Sequence, residues 1–238
     1  MKKIFITGSS DGIGLYVAKM LIKQGHEVIF HAKDITRAKH IYKEMGKVKV
    51  IVGDLSDFEE IKSLAKEVNN LGNLDTIIHN AGLFHTSNES IFKVNVLAPY
   101  MLTVLINRPQ RLIYIGSNMH PQGKINILNL SLEIGVDYST SKLYILMLSL
   151  FFARKWKDVY VNVVDPGWVR TKMSNYNAPD SLEDGSATQV WLATNSDAKM
   201  SGKYFYHLQE TLYSSKANDI KAQEELIKLC EKSTGVIF

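Results

Sequence analysis

The sequence predicts an α/β fold in one domain, residues 1–238: a doubly wound sheet of about seven parallel strands with helices on both faces. Short apolar runs alternate with longer stretches of helical period along most of the chain. Runs such as Ile4-Phe5-Ile6 and Thr76-Ile77-Ile78 lack polar alternation, as strands covered on both faces require. No linker rich in proline or glycine and no internal repeat divides the chain.

Seven short runs rich in β-branched and aromatic residues predict the strands, and these are Lys3 to Thr7, Glu27 to His31, Val48 to Val52, Leu74 to His79, Arg111 to Gly116, Tyr160 to Val164 and Lys203 to His207. Apolar residues at helical spacing predict the helices, at about Ile13 to Gln24, Thr36 to Met45, Asp57 to Leu71, Ser90 to Ile106, Tyr138 to Lys155, Leu182 to Thr194 and Asp219 to Lys232. Strands separated by such helices can neighbour each other only as parallel strands with right-handed crossovers. This order therefore predicts the doubly wound sheet.

Composition and charge exclude several classes of protein. A formal net charge of +4 with 22% charged residues does not fit a disordered polyelectrolyte or a nucleic-acid binder, and no basic helix is present. Cys230 is the only cysteine, so no disulfide framework or thiolate zinc site can form, and no metal site is predicted. The apolar stretch near the N-terminus ends at Gly8, too early for a signal peptide or a membrane span. We therefore expect a cytoplasmic protein without nucleic-acid or membrane partners.

A glycine-rich turn follows the first strand and leads into a helix. It consists of Thr7, Gly8, Ser9, Ser10, Asp11, Gly12, Ile13 and Gly14. Glycines there let backbone amides approach a pyrophosphate at a helix N-terminus, where the free N–H groups and the helix dipole favour negative charge. The spacing differs from the common G-x-G-x-x-G, but the position between strand and helix favours a dinucleotide site.

The end of the second predicted strand bears on the choice of cofactor. An acid there would bond the ribose hydroxyls, whereas a base would meet a 2′-phosphate. Ala32 cannot bond a ribose, and Lys33 can pair with phosphate, which favours NADP(H). Asp34 lies twenty residues after Gly14, close to the spacing of a ribose-binding acid, so NAD(H) stays open.

The strongest chemical feature is Tyr138 with Lys142. Residues four apart on a helix share one face, which puts a phenol beside an ammonium group. A phenol ordinarily titrates near about pH 10, and a nearby positive charge favours its phenolate. Such a pair suits proton transfer to or from the oxygen of a carbonyl that accepts hydride. Because Y-x-x-x-K is common by chance, its context decides: Ser117 follows the fifth strand and Asn95 lies in the fourth helix.

The order of these motifs resembles the short-chain dehydrogenase/reductase family, which has a Rossmann-type fold. The matching motifs are T-G-x-x-x-G-x-G, Asn80-Ala81-Gly82, Asn95, Ser117, Tyr138 with Lys142, and Pro166-Gly167 with Thr171. The resemblance runs from Lys3 to about Phe205 and is greatest to retinol-dehydrogenase-like and carbonyl-reductase-like members. It implies an NAD(P)(H)-dependent oxidoreductase that interconverts a carbonyl and an alcohol by hydride transfer. The 20 residues between Ser117 and Tyr138 exceed the family's usual length, which we expect to reshape the substrate mouth.

The resemblance also implies catalytic roles. Tyr138 would be the general acid and base, and Lys142 would lower its pKa and hold the nicotinamide ribose. Ser117 would orient the substrate oxygen. Asn95 would hold a water that relays protons between Lys142 and solvent.

Further residues are implied in cofactor binding. Asp54 and Leu55 would contact the adenine, although Asp54 could instead cap the helix beginning at Asp57. The turn Asn80-Ala81-Gly82 would pass the nicotinamide ribose. The segment after the sixth strand would contact the carboxamide and pyrophosphate through Pro166, Gly167, Val169 and Thr171.

Two segments flanking the catalytic face are expected to contact the substrate, Asn118 to Asp137 and Lys172 to Gly185. Their candidate contacts are Met119, His120, Leu128, Leu130, Met173 and Tyr176, which indicate an apolar small-molecule carbonyl or alcohol. His120 is interpreted as a rim residue. Trp168 and Trp191 are interpreted as packing residues. Surplus apolar residues on the helices Ser90 to Ile106 and Tyr138 to Lys155 leave a homodimer or tetramer open.

Two alternatives share the fold. A non-catalytic dinucleotide sensor would have no need of both Tyr138 and Lys142. A sugar-nucleotide epimerase or dehydratase uses a similar pair but usually has a larger C-terminal substrate region, and little chain follows Phe205.

Overall fold

Strands and helices alternate along the chain in the computed structural model, which describes residues 1–238. The strands are β1 (Lys3–Ile6), β2 (Glu27–Ala32), β3 (Lys49–Val52), β4 (Thr76–His79), β5 (Arg111–Ile115), β6 (Tyr160–Asp165), β7 (Lys203–Tyr206) and β8 (Gln209–Glu210). The α-helices are α1 (Gly12–Lys23), α2 (Ile35–Met45), α3 (Phe58–Asn70), α4 (Asn88–Phe92), α5 (Ala98–Leu105), α6 (Tyr138–Lys155), α7 (Leu182–Thr194) and α8 (Ile220–Thr234). No helix is both long enough and apolar enough to span a bilayer.

The sheet has the strand order β3-β2-β1-β4-β5-β6-β7-β8. Neighbouring strands from β3 to β7 are parallel, which confirms the predicted doubly wound sheet. The order reverses between β1 and β4, and ligands bind at the carboxyl ends of strands beside such a reversal. The predicted strand count is one too low, because β8 pairs antiparallel with β7. Its two residues follow a tight turn at His207 and Leu208, both with positive φ.

Side chains alternate between the two faces of the sheet. Ile4 and Ile6 belong to a cluster of 20 buried apolar residues beneath α1, α2 and α7. Phe5 points the other way, into a cluster of 43 beneath α3, α5, α6 and α8. The central strands, such as β1 and β4, are thus covered on both sides, which explains their continuous apolar sequences.

The single helix predicted from Ser90 to Ile106 is instead three pieces. A π-helical turn, Lys93–Leu97, separates α4 from α5. Such turns insert an extra residue into a helix and are frequent at functional sites. Asn95 lies in this turn, which therefore decides where its side chain points.

Helix α8 lies over α6 and the π-helical turn Lys93–Leu97 as an outer layer. Its buried residues Leu226, Ile227 and Cys230 belong to the larger core cluster. Beyond the helix, the Tyr100 hydroxyl of α5 donates to the Val236 carbonyl at 2.9 Å. The ring of the last residue, Phe238, packs edge-on against Phe151 and Phe152 of α6. The surplus apolar residues of α5 and α6 are thus covered within the chain.

Candidate active site

A cleft of about 480 Å³ opens at the carboxyl ends of β4, β5 and β6, beside the start of α1. Its lining residues are Ile13, Asn80, Gly82, Phe84, Ile115, Gly116, Ser117, Asn118, Met119, Tyr138, Lys142, Pro166, Gly167, Trp168, Val169, Thr171, Met173 and Ser174. The parallel strands end along this edge, so motifs far apart in sequence meet here. Of the four predicted catalytic residues, Ser117, Tyr138 and Lys142 line the cleft.

Tyr138 and Lys142 occupy the first turn and a half of α6. The Asp137 side chain accepts a hydrogen bond from the Thr140 amide at 2.7 Å and caps this helix. The Lys142 Nζ lies 5.4 Å from the centre of the Tyr138 ring and donates to the Ile115 carbonyl at 2.8 Å. The predicted helical juxtaposition of phenol and ammonium is therefore present.

Burial dominates the protonation of this pair. It raises the pKa of Tyr138 to about 12, with a hydrogen bond to Ser117 acting in the opposite direction. It also lowers the pKa of Lys142 to about 8. The protein alone therefore does not show the lowered pKa of Tyr138 expected from Lys142.

Asn95 lies behind the cleft, and both its side-chain oxygen and its side-chain nitrogen are hydrogen-bonded within the protein. Its Oδ1 accepts from the Leu83 amide at 2.7 Å, and its Nδ2 donates to the Leu83 carbonyl at 3.0 Å and to Ser141 Oγ at 3.1 Å. A Cβ placed on Gly82 would lie 3.6 Å from Asn95 Oδ1 and 3.8 Å from Lys142 Nζ. Asn95 thus joins the turn after β4 to α6 close to the lysine.

The glycine-rich turn packs tightly against the turn after β4. Gly8 has φ +63°, and a Cβ there would lie 2.9 Å from the Ala81 Cα. A Cβ on Gly14 would lie 2.4 Å from Asn80 Nδ2, which donates to the Thr7 and Gly8 carbonyls. Only glycine fits at either position. The predicted residues from Thr7 to Gly14 and from Asn80 to Gly82 therefore form one connected surface at the N-terminus of α1.

Lys33 and Asp34, the residues after β2 that favour NADP(H) and NAD(H) respectively, have different partners in the structure. Asp34 caps α2, accepting from the Arg37 amide at 2.9 Å. Lys33 Nζ pairs with Asp54 Oδ2 at 3.1 Å, so these two predicted cofactor residues lie side by side. Asp54 also accepts from Ser56, while the cap of α3 is Asp57. The role of Asp34 as a helix cap weakens its interpretation as a ribose ligand.

Two basic residues at this site escaped the sequence interpretation. Arg37 and Lys172 both pair with the Asp11 carboxylate in the glycine-rich turn. Their charges and the hydrogen bonds from Lys172 and Gly12 hold the pKa of Asp11 low, although its partial burial opposes this. Arg37 lies on the first turn of α2, four residues after Lys33. This proximity to Lys33 in the sequence could have indicated a second base at the site.

The segment after β6 folds back over the glycine-rich turn. Val169 pairs with Asp180, and the Asp180 carboxylate accepts from the Trp168 amide at 2.7 Å, which closes the base of this loop. Thr171 lies against Gly12, whose added Cβ would approach its methyl group to 3.5 Å. Pro166, Gly167 and Val169 line the cleft as well, so the predicted residues of this segment converge with the turn.

Some of the residues predicted to contact the substrate line the cleft and others do not. Met119 and Met173 line the cleft, whereas Leu128, Leu130 and Tyr176 do not. Leu128 is 84% exposed on the surface, because the segment after Asn118 folds away into short 3₁₀ turns.

The structure corrects the interpretation of His120 and of Trp168, and it adds Phe84 to the cleft. His120 is buried, not on the rim: its Nδ1 donates to the Ser117 carbonyl and its Nε2 accepts from the Ser214 amide. Trp168 is 58% exposed and lines the cleft, so it is not a packing residue, whereas Trp191 packs against Phe205 as expected. Phe84 was missed; its ring lies 4.5 Å from that of Tyr138.

The fold and the site together define an α/β oxidoreductase of the dinucleotide-binding type. The chain belongs to the short-chain dehydrogenase family, whose model matches residues 2–181. It is 38% identical to an uncharacterized oxidoreductase of Emericella nidulans, covering 99% of this chain and 98% of that protein. It is also 27% identical to retinol dehydrogenase 14 of Mus musculus, over 99% of this chain and 86% of that one. The predicted family is confirmed.

Solved structures share the fold. An NADPH-bound carbonyl reductase from chicken fatty liver superposes with a TM-score of 0.73 at 20% identity, covering 89% of this chain and 98% of that one. Salutaridine reductase from Papaver somniferum gives 0.71 at 20% identity, covering 87% and 99%. These two structures share the doubly wound architecture with most of this chain.

Proposed function

We propose that the protein is an NADP(H)-dependent oxidoreductase that interconverts a small-molecule carbonyl and the corresponding alcohol. The observation that carries this proposal is the meeting of Tyr138, Lys142 and Ser117 in one cleft, beside a glycine-rich turn at a helix N-terminus. Burying an ammonium group without a charged partner is unfavourable. The place of Lys142 beside a phenol at the cleft wall is therefore better explained by catalysis than by a contribution to stability.

The residues around the cleft fit a dinucleotide. The surface formed by the glycine-rich turn and Asn80 admits close backbone approach, because added Cβ atoms at Gly8 and Gly14 would collide with their neighbours. Val169 and Thr171 would hold the nicotinamide end, and Asp54 and Leu55 the adenine end. When bound, the nicotinamide supplies or accepts the hydride.

The chain's own residues would transfer the proton and position the substrate oxygen. During reduction, Tyr138 would donate the proton of its hydroxyl to the substrate oxygen, and it would accept a proton in the reverse direction. The Ser117 hydroxyl would bond the same oxygen and fix it within reach of the phenol. Lys142 would bond ribose hydroxyls. Asn95 would hold a water that relays protons between the lysine and solvent.

The bases at the adenine end support a preference for NADP(H). Lys33 is 65% exposed in its side chain and Arg37 is 48% exposed, so both would be free to exchange their present partners for a 2′-phosphate. Phosphate forms charge-assisted hydrogen bonds with such groups. The carbonyl reductase from chicken fatty liver, which shares this fold, binds NADPH.

Replacing Lys33 and Arg37 together by alanine is expected to weaken NADPH binding by about tenfold or more, because two charge-assisted hydrogen bonds are lost. NADH binding, which lacks the 2′-phosphate, should change by less than about threefold. Fluorescence titration with each cofactor measures both constants. The matched control is Lys39→Ala with Lys43→Ala, which removes two exposed charges from α2, the helix that carries Arg37. Equal losses for NADPH and NADH would contradict the assignment.

The cleft favours an apolar substrate. Phe84, Met119, Trp168 and Met173 line it around the Tyr138 phenol. Apolar walls with a few convergent polar groups are typical of small-molecule sites.

The reaction is tested by mixing purified protein and NADPH with a panel of aliphatic, aromatic and polycyclic aldehydes and ketones. Loss of the reduced-nicotinamide absorbance with at least one carbonyl is expected. Tight NADPH binding without turnover on any of them, or in reverse on the alcohols, would instead support a non-catalytic dinucleotide sensor.

We expect the protein to be a monomer, because α8 and Phe238 pack on α6 and the segment after α8 contacts Tyr100 of α5, and a dimer in this family would use these two helices. Size-exclusion chromatography with light scattering should give the chain mass of 26.9 kDa. A stable dimer or tetramer would show that another face mediates association.

A further inference from the structure

Asp165 is a buried acid beside the candidate active site that none of the roles above uses. It is the last residue of β6 and is 4% exposed. One carboxylate oxygen accepts from the Gly167 amide at 2.9 Å and the other from the Tyr204 hydroxyl at 3.2 Å. Accepting hydrogen bonds at both oxygens is the pattern of an ionised carboxylate.

The position of Asp165 is fixed by the sheet. β6 lies next to β5, and the Gly116 amide donates to the Val164 carbonyl at 2.7 Å, so Asp165 follows directly beside the Gly116-Ser117 segment of the cleft. Lys142 bonds the Ile115 carbonyl of the same segment. The acid and the lysine thus approach one strand end from different elements.

Lys142 lacks a charged partner in direct contact. It is 6% exposed, and its ammonium donates to a neutral backbone carbonyl. A buried ammonium in that situation loses much of its tendency to stay charged. The charge that acts on it through space is the Asp165 carboxylate.

The other titratable groups facing Asp165 come from three elements, and they are Tyr138 of α6, His120 of the turn after β5, and Tyr204 and Tyr206 of β7. His120 accepts a hydrogen bond at Nε2 while Nδ1 donates, which describes the neutral ring. The tyrosines are neutral when protonated. Asp165 and Lys142 are therefore the two buried charges of this region, while the partly exposed Asp180 carboxylate and His207 ring lie against Gly167, whose amide bonds Asp165.

We propose that Asp165 is a positioning residue for the reaction, a buried counter-charge that favours the ammonium form of Lys142, adds to the burial that favours the protonated form of Tyr138, and so holds the site ready for carbonyl reduction. This inference rests on the proposed function. Reduction requires a phenol that still carries its proton, because Tyr138 must give that proton to the substrate oxygen as hydride reaches the carbon.

Asp165 raises the pKa of both Lys142 and Tyr138. The negative charge of Asp165 raises the pKa of Lys142, because it favours the ammonium form. It also raises the pKa of Tyr138, because it disfavours the phenolate. Removing the charge lowers both pKa values, so the site should lose its reducing form at a lower pH.

The test compares two variants that disturb the same hydrogen bond. Asp165→Asn keeps the shape and removes the charge, whereas Tyr204→Phe removes the phenol donor and keeps the charge. In Asp165→Asn, the alkaline limb of kcat/KM for carbonyl reduction should move to lower pH by about one unit. In Tyr204→Phe it should stay or move to higher pH. An unmoved limb in Asp165→Asn, or the same downward shift in both variants, would overturn the inference.

A second readout does not need turnover. The unfolding free energy of each protein is compared with that of its Lys142→Met counterpart across pH, and the pH at which the difference begins to rise reports the protonation of Lys142. This onset should lie lower in Asp165→Asn than in the parent, and an unchanged onset would also count against the inference. If the parent protein turns over no carbonyl, the proposed function fails, and this readout still decides whether Asp165 acts on Lys142.

Discussion

Replacing Tyr138 by phenylalanine is expected to lower kcat for carbonyl reduction about a thousandfold while leaving NADPH affinity within about twofold. The ring remains, so its packing against Phe84 at 4.5 Å and the start of α6 are preserved. What is lost is the proton donor. Steady-state kinetics on the best carbonyl of the panel, together with a binding titration, separate the two effects.

Tyr144→Phe is the matched control for this experiment. Tyr144 lies on the same helix, and its hydroxyl accepts a hydrogen bond from the Asn126 amide outside the active-site cleft. Loss of that hydroxyl should change kcat by less than about twofold. A Tyr138→Phe enzyme that retains more than about a tenth of the parent rate would remove the phenol from the mechanism.

The second large effect concerns stability. The pKa of Lys142 is about 8 in the folded protein against an ordinary 10.5. Between these values the unfolded chain binds more protons than the folded one, so stability rises with pH. Relative to Lys142→Met, the free energy of unfolding of the parent should therefore rise by up to about 3 kcal/mol from pH 7.5 to 10.5.

Urea unfolding at half-unit pH steps measures this difference. Tyr138 acts in the opposite direction at higher pH, because its pKa is raised to about 12; its stabilisation is complete below about pH 10 and is lost above it. Both proteins contain Tyr138, so its contribution largely cancels. Lys155→Met, at the exposed end of the same helix, is the control. Parallel curves for the parent and Lys142→Met would mean that Lys142 keeps its ordinary pKa.

The sheet was predictable because its central parallel strands are covered on both faces and have continuous apolar sequences, as Ile4 to Ile6 show. Strand β8 was not, since Gln209 and Glu210 are polar and pair only because β7 turns back at His207. The π-helical turn also gave no signal, because its residues fit an ordinary helix and only the tertiary contacts of Asn95 with Leu83 and Ser141 distinguish it.

The site was predictable to the extent that local geometry determines it. Helical spacing alone places Tyr138 beside Lys142, and the strand-to-helix turn places the glycines. Arg37 and Asp165 were missed because their partners are distant in sequence. Trp168 was misinterpreted because a loop tryptophan gives no periodicity from which burial could be judged.

The outer position of α8 also has a consequence for the order in which the protein can fold during synthesis. Val236 bonds Tyr100 across 136 residues, and α6 is made well before α8, the helix that covers it. Until α8 leaves the ribosome, the nascent chain displays the apolar surface that Leu226, Ile227 and Cys230 later bury. Chains that terminate early near Asp219 would retain this surface, and they would be expected to aggregate even though every residue of the cleft has already been made.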